Sequence, residues 1–237
     1  MLRSEYWLVS SMREGDPFMT TAPVSLSSDE LLTTTRAVRR RLDLTRPVPA
    51  ELITECLGIA QQAPCEGNMQ QWHFVVVTDP SKRAALADCF RQGWEVYKTL
   101  PISAVNMRFP DPERNARQAR VIASTQYLVD HLHEVPVHVI PCLGFRTEAQ
   151  PTVVQSAMWG TIAPASWSFM LAARTRGLGT AYTSLHLFAE EQAARALGIP
   201  FSEVMQAALI PVAYYTGETF KRAKREPLAT MLHWDGW

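Results

Sequence analysis

The sequence predicts an α+β fold, with mixed layers of helix around one sheet. Three observations carry this. Most of the chain shows apolar residues at helical spacing. Only three short runs rich in strand-forming residues interrupt it, at 73–77, 136–143 and 207–215, each separated from the next by helical segments. A closed barrel would need about eight strands, so a single open sheet between helices is the better solution. Finally, a chain of 237 residues that is 47% apolar can bury one large core.

Taken in order, residues 1–26 read as an N-terminal arm, with "REGDPF" and "TTAPVS" and no lasting periodicity. Residues 27–237 form the domain. Ser27 and Glu30 make a capping box that opens a helix. That helix is expected to run through "DELLTTTRAVRRRLD", with Leu31, Leu32, Thr35 and Val38 inward and its arginines in the last turns. Pro49 suits the start of a second helix, whose Leu52, Ile53, Cys56, Leu57 and Ala60 lie on one side. It should stop near Ala63-Pro64. "HFVVV" at 73–77 reads as a strand covered on both faces. Pro80 opens a helix reaching the 90s, the proline-rich residues 100–112 form a loop, and residues 113–133 form a polar helix. "PVHVIPCL" is a second buried strand. The helix expected at 153–176 is apolar on nearly every side and should kink at Pro164; it needs protein around it, which points to a dimer contact. "GLGTAYTSL" connects to a helix near 189–197, a helical turn near 201–205 and a strand at 207–215.

Composition excludes several classes. Lys plus Arg equals Asp plus Glu at 23 each, which gives no general case for nucleic acid or an anionic membrane surface. No apolar run reaches the roughly 20 residues of a spanning helix. The first residues have too short an apolar core for a secretory signal. Cys56, Cys65, Cys89 and Cys142 form no C-x-x-C pair, which fits a reducing compartment and a cytoplasmic location. "GLGTAY" has Tyr182 where a dinucleotide fingerprint needs its third glycine, and it follows a helix. The phosphate-binding P-loop and the G-x-S-x-G elbow are missing. His131 and His133 have no cysteine or H-E-x-x-H partner motif, so no metal site is expected.

Positive signals remain. Arg36, Arg39, Arg40 and Arg41 form one basic cluster, and Lys221, Arg222, Lys224 and Arg225 form another near the opposite end of the chain. Together they could hold one phosphate, since guanidinium forks match its oxygens; alternatively, the first cluster is a solvated helix end favoured by the dipole. Between the second helix and the first strand stand Asn68 and Gln70, whose amides can read the polar edge of a flat heterocycle. In an extended chain both would point to one side, with Trp72 packed as support. Trp94, Tyr97, Met107 and Phe109 offer either an apolar cover for a substrate or ordinary packing.

"TTRAVRRRLD", the run A-P-x-x-x-N-x-Q-x-W-H-F-V-V-V and the ending "KREPLATMLHWDGW" together resemble the FMN-dependent nitroreductase family over residues 27–237. The resemblance implies a central, mainly antiparallel sheet flanked by helices, in an intertwined homodimer with one FMN per subunit at the interface. It places Arg36, Ala37 and Arg39 on the phosphate, with Ala37 lacking the usual serine hydroxyl, and brings Lys224 and Arg225 back to it from the tail. Cys65, Asn68 and Gln70 match the loop around the ribityl chain and ring, with Cys65, Glu66 and Met69 departing from common residues. Gly179, Thr180, Thr183 and Ser184 match the segment along the ring. The chemistry it implies lies at flavin N5, with no catalytic side chain and no metal. NADPH or NADH gives hydride, and a small aromatic acceptor, a nitroaromatic or a quinone, takes its place in a ping-pong cycle. Family relatives also include flavin reductases, dehalogenases and a flavin-destroying enzyme, and a non-catalytic flavin store or sensor is a further alternative.

Overall fold

The computed structural model describes residues 25–237. The expected arm therefore lies almost wholly outside the described residues. Among the described residues, five strands form one sheet: β1 (Trp72–Val77), β2 (Val137–Leu143), β3 (Leu178–Thr180), β4 (Met205–Gln206) and β5 (Ile210–Tyr214). The order is β1-β2-β5-β3, with β4 also on β2, and every pairing of these strands is antiparallel. The helices are α1 (Ser28–Thr34), α2 (Ala50–Ala60), α3 (Pro80–Thr99), α4 (Pro112–His131), α5 (Thr152–Thr175) and α6 (Glu190–Leu197). One sheet between helices agrees with the order of elements in the sequence, and its antiparallel pairing agrees with what the family resemblance implies.

Strand alternation builds the two halves of the core. Val137 and Val139 of β2, with Ile210 and Val212 of β5, pack with Ile53 and Cys56 of α2 and Phe169 of α5. Ile140 and Cys142 of β2, with Ala213 of β5, meet Leu86 and Phe90 of α3 and Leu128 of α4 on the other face. Phe90, Leu86 and Phe169 are fully buried, and each such side chain contributes roughly 1.5–3 kcal/mol.

Four expectations need correction. β1 is an edge strand with Val76 and His73 exposed, so only part of it is covered. β3 and β4 are strands where the sequence predicts a connection and a helical turn. The first helix does begin at the Ser27–Glu30 capping box, but it stops at Thr34. Three successive threonines turn their hydroxyls back onto the carbonyls of Asp29, Glu30 and Leu31, and β-branched residues are poor helix formers. Val38 N–H instead donates to Thr180 O at 2.8 Å, and Ala37 pairs with Thr180 in a parallel bridge. The arginine segment is therefore not the end of a helix: residues 36–38 form a short strip along β3, and residues 39–42 turn away from it, closed by Leu42 N–H donating to Arg39 O at 3.2 Å. Finally, the loop before β1 is not extended: Gly67, Asn68 and Gln70 all have positive φ, near 50°.

Candidate functional site

The strip after α1 is held close to β3 by Gly179. A Cβ there would lie 3.0 Å from Val38 Cβ and 3.1 Å from a Leu42 methyl. Beside this strip opens a cleft of about 640 Å³, a volume in the range of small-molecule sites. Arg36, Ala37 and Arg39 line it from the strip, and Arg222 and Arg225 line it from the C-terminal tail. The two basic clusters, separated by about 180 residues of chain, thus meet in one place. Arg36 Nη1 also donates to Lys221 O at 3.2 Å, tying the strip to the tail.

The charge in this cleft is unbalanced. Among the described residues, no carboxylate oxygen lies within 4 Å of the guanidinium nitrogens of Arg36, Arg39, Arg222 or Arg225. Arg39 is half-buried, and burial pushes its pKa below the ordinary value while leaving the group cationic at neutral pH. Glu30 feels Arg222, but its carboxylate is held low first by the Ser27 N–H and hydroxyl of the helix cap. Arg36, Arg222 and Arg225 are exposed and Arg39 is the partly desolvated member; clustered cations without a carboxylate in contact repel one another, and an anion carrying several acceptor oxygens would relieve this.

The remaining arginines of the first cluster have other work. Arg40 donates to Ala123 O at 3.3 Å and sits over Tyr127, while Arg41 bonds Thr216 O and Thr219 O. Lys224 does not line the cleft; its ammonium donates to Glu113 Oε2 at 2.8 Å.

Beside the cations lies a flat apolar wall of Trp167 and Met170 from α5 and Tyr182 after β3. The Tyr182 hydroxyl donates to Ala207 O at 3.3 Å, and burial pushes its pKa up, so it stays neutral. None of these three stands out in the sequence as a site residue: Trp167 and Met170 lie within an apolar helix and Tyr182 within a connection. The segment after α5 does not itself line the cleft before Tyr182: Gly179 admits Val38, Thr180 pairs with the cleft residue Ala37, Thr183 pairs with Leu209, and Ser184 is exposed at the start of a 3₁₀ turn.

Cys65, Asn68 and Gln70 do not join this cleft within the chain. Gln70 Nε2 donates to Asn68 Oδ1 at 3.1 Å, and both side chains are exposed. Trp72 is buried against Leu143, Met158 and Ile162. The loop is pinned to α5 where Glu66 N–H donates to Thr161 Oγ1 at 3.2 Å. Thr161 and Met170 are nine residues apart, two and a half helical turns, so the loop and the cleft lie on opposite sides of α5. Trp94 and Tyr97 belong to α3 and its packing: Trp94 donates to Gln126 Oε1, and the Tyr97 hydroxyl accepts from Ala104 N–H. Arg114 covers Phe109 at 3.8 Å, leaving Met107 exposed. The four cysteines are free thiols, and no helix among the described residues is long and apolar enough to cross a membrane.

The sequence profile of the Nitroreductase family matches residues 32–214. A Thermus thermophilus protein named NADH dehydrogenase is 29% identical over 212 residues, covering 84% of this chain and 91% of its own. The 5,6-dimethylbenzimidazole synthase of Rhodospirillum rubrum is 27% identical over 143 residues, 59% of this chain and 61% of that protein. Among solved structures, iodotyrosine deiodinase bound to FMN and 3-iodo-L-tyrosine superposes with a TM-score of 0.65 at 18% identity, over 88% of this chain and 99% of that one.

Proposed function

The chain belongs to the nitroreductase family, and we propose that within it the protein is an FMN-dependent oxidoreductase that draws its electrons from NADPH or NADH. The observation that carries this is the set of guanidiniums in the cleft, without carboxylate partners, beside an apolar wall. Arg36, Arg39 and Arg225, with Arg222, suit the phosphate of FMN; Trp167, Met170 and Tyr182 suit its flat ring. The FMN-bound deiodinase among the structural neighbours supports the same cofactor. Bound there, FMN supplies hydride and electron transfer, and the chain supplies no nucleophile. Its residues bind and orient. Gly179 lets the arginine strip approach β3, Arg36 ties strip to tail, and the neutral Tyr182 presents an apolar surface next to the cations.

The working unit in this proposal is a homodimer. The outward face of α5 carries Val153, Ser156, Gly160, Ala163 and Trp167, all exposed and spaced by three and four residues. That is the pattern of a seam for a second helix, with small residues at its centre. The tail adds exposed Leu228, Met231, Trp234 and Trp237. Pairing through α5 would let the loop bearing Cys65, Asn68 and Gln70 of one copy serve the cleft of the other, which α5 prevents within one chain.

The acceptor is a small aromatic molecule. A nitroaromatic or quinone is the first reading. The spread of names among the relatives, a dehydrogenase, a synthase and a deiodinase, favours a second: a sister reaction such as flavin reduction, dehalogenation or flavin breakdown. Steady-state kinetics decide. Oxidation of NADPH or NADH should depend on added FMN and on an aromatic acceptor, with parallel double-reciprocal lines. Intersecting lines would refute one shared site used twice. Halogenated phenols turned over faster than nitroaromatics or quinones would select the second reading.

A further inference from the structure

The cleft needs Arg222 and Arg225, yet the tail that carries them has no regular structure between Tyr214 and the short turn at Leu228–Thr230. Its path is fixed by side chains from the body. Arg41 Nε donates to Thr216 O at 2.5 Å and its Nη1 to Thr219 O at 2.9 Å, while Thr216 N–H donates back to Arg41 O. Gly217 turns the chain with φ of 79°, and a Cβ there would lie 2.8 Å from Arg41 Nη2.

Phe220 follows, and its ring closes the arrangement. Arg41 lies 4.2 Å from the ring centroid, Arg174 lies 4.6 Å from it, and the Tyr215 ring is tilted against it at 4.9 Å. Arg174 comes from α5, is 3% exposed, and bonds the Tyr215 hydroxyl. Among the described residues, neither arginine has a carboxylate within 4 Å, and Arg174 Nε and Arg41 Nη2 are buried without hydrogen-bond partners. Carbonyl bonds to Arg41 and the Tyr215 hydroxyl on Arg174 satisfy part of these two guanidiniums but bring no counter-charge, and the aromatic faces of Phe220 and Tyr215 supply the remaining compensation. An aliphatic side chain of similar volume has no such face to offer.

We propose that Phe220 is a positioning residue, an aromatic latch through which Arg41 and Arg174 hold the tail so that Arg222 and Arg225 reach the cleft. The inference rests on the proposed role of that cleft in binding the FMN phosphate. Phe220 touches no ligand in this scheme, and its effect is read only through the tail cations.

The test compares wild type, Phe220→Leu and Phe220→Tyr by flavin-fluorescence titration with FMN and with riboflavin. The latch requires that Phe220→Leu weaken FMN binding about tenfold or more, leave riboflavin within about twofold, and be rescued by Phe220→Tyr. In parallel, trypsin should cut after Lys221 to Arg225 about tenfold faster in Phe220→Leu without added ligand. Should Phe220→Leu fail to fold, Arg41→Lys carries the same expectation, because an ammonium cannot span both Thr216 O and Thr219 O. FMN affinity unchanged in the variant, or equal losses for both flavins, would overturn the latch. Wild type that binds neither flavin would instead refute the reading of the cleft, and the trypsin comparison would still judge the latch.

Discussion

Replacing Arg39 with alanine separates a phosphate-binding role from a structural one. Arg39 is half-buried, and its side chain has no hydrogen-bond or ion-pair partner among the described residues. Its burial disfavours the charge, so the ligand-free protein bears a cost that only an anion offsets. A hydrogen bond to a charged group contributes about 1.5–3 kcal/mol. Loss of one such contact therefore weakens FMN by about tenfold to a hundredfold. Riboflavin has the same ring and ribityl chain without the phosphate, and its affinity should stay within about twofold. Because the substitution removes no internal partner, the ligand-free melting temperature should hold or rise slightly. Fluorescence titration with both flavins and a thermal melt without ligand make the comparison. Equal losses for both flavins, or a clearly lower melting temperature without ligand, would refute the reasoning.

Further outcomes follow from the packing and the buried groups. Light scattering should give twice the 26.6 kDa chain mass, and Gly160→Arg, at a position where an added Cβ meets nothing within 4 Å, should give monomer; an active monomeric wild type would contradict the dimer. Gly179→Ala should destabilise by about 1–3 kcal/mol, because the added methyl meets Val38 at 3.0 Å, whereas Gly58→Ala on α2, with open space, should stabilise by up to about 1 kcal/mol; urea melts that rank the two alike would refute this. His138 and His186 are buried as neutral rings, with desolvation pushing their pKa values from 6.5 down to about 4 and about 3. Their stabilising contribution is complete above about pH 6.5, and it is lost as pH falls through the folded values, because the unfolded chain takes up protons that the folded chain excludes. The slope is at most about 1.4 kcal/mol per pH unit for each ring. The urea midpoint should therefore drop between about pH 7.5 and pH 5, with His186→Leu dropping less; equal drops would contradict the assignment.

The legible parts of the fold are those set by local pattern. α2, α3, α4, α5 and β2 follow from apolar spacing and proline starts, and the Ser27–Glu30 box marks the first helix start to the residue. What escaped depends on distant partners. α1 ends early because its three threonines weaken the helix and Val38 N–H finds Thr180 O instead, 142 positions away. β3 has three residues, one of them the glycine that admits Val38, so neither length nor β-branching announces it. The loop before β1 was read as alternating, but the left-handed turns at Gly67, Asn68 and Gln70 destroy alternation, and Gln gives little warning of positive φ. In the site, two basic clusters at opposite ends of the chain, together with the family resemblance, pointed to the meeting of the arginine strip with Arg225. The split of the tail was not: Lys224 turns to Glu113 while Arg222 turns to the cleft, a choice made by α4.

The central claim is that this cleft makes the chain a flavoprotein, and a visible absorption spectrum of the purified protein tests it most directly. After incubation with FMN and removal of free ligand, the account predicts oxidised-flavin bands at about one FMN per chain, bleached by NADPH or NADH under nitrogen. A folded protein that stays colourless after FMN is added would contradict it.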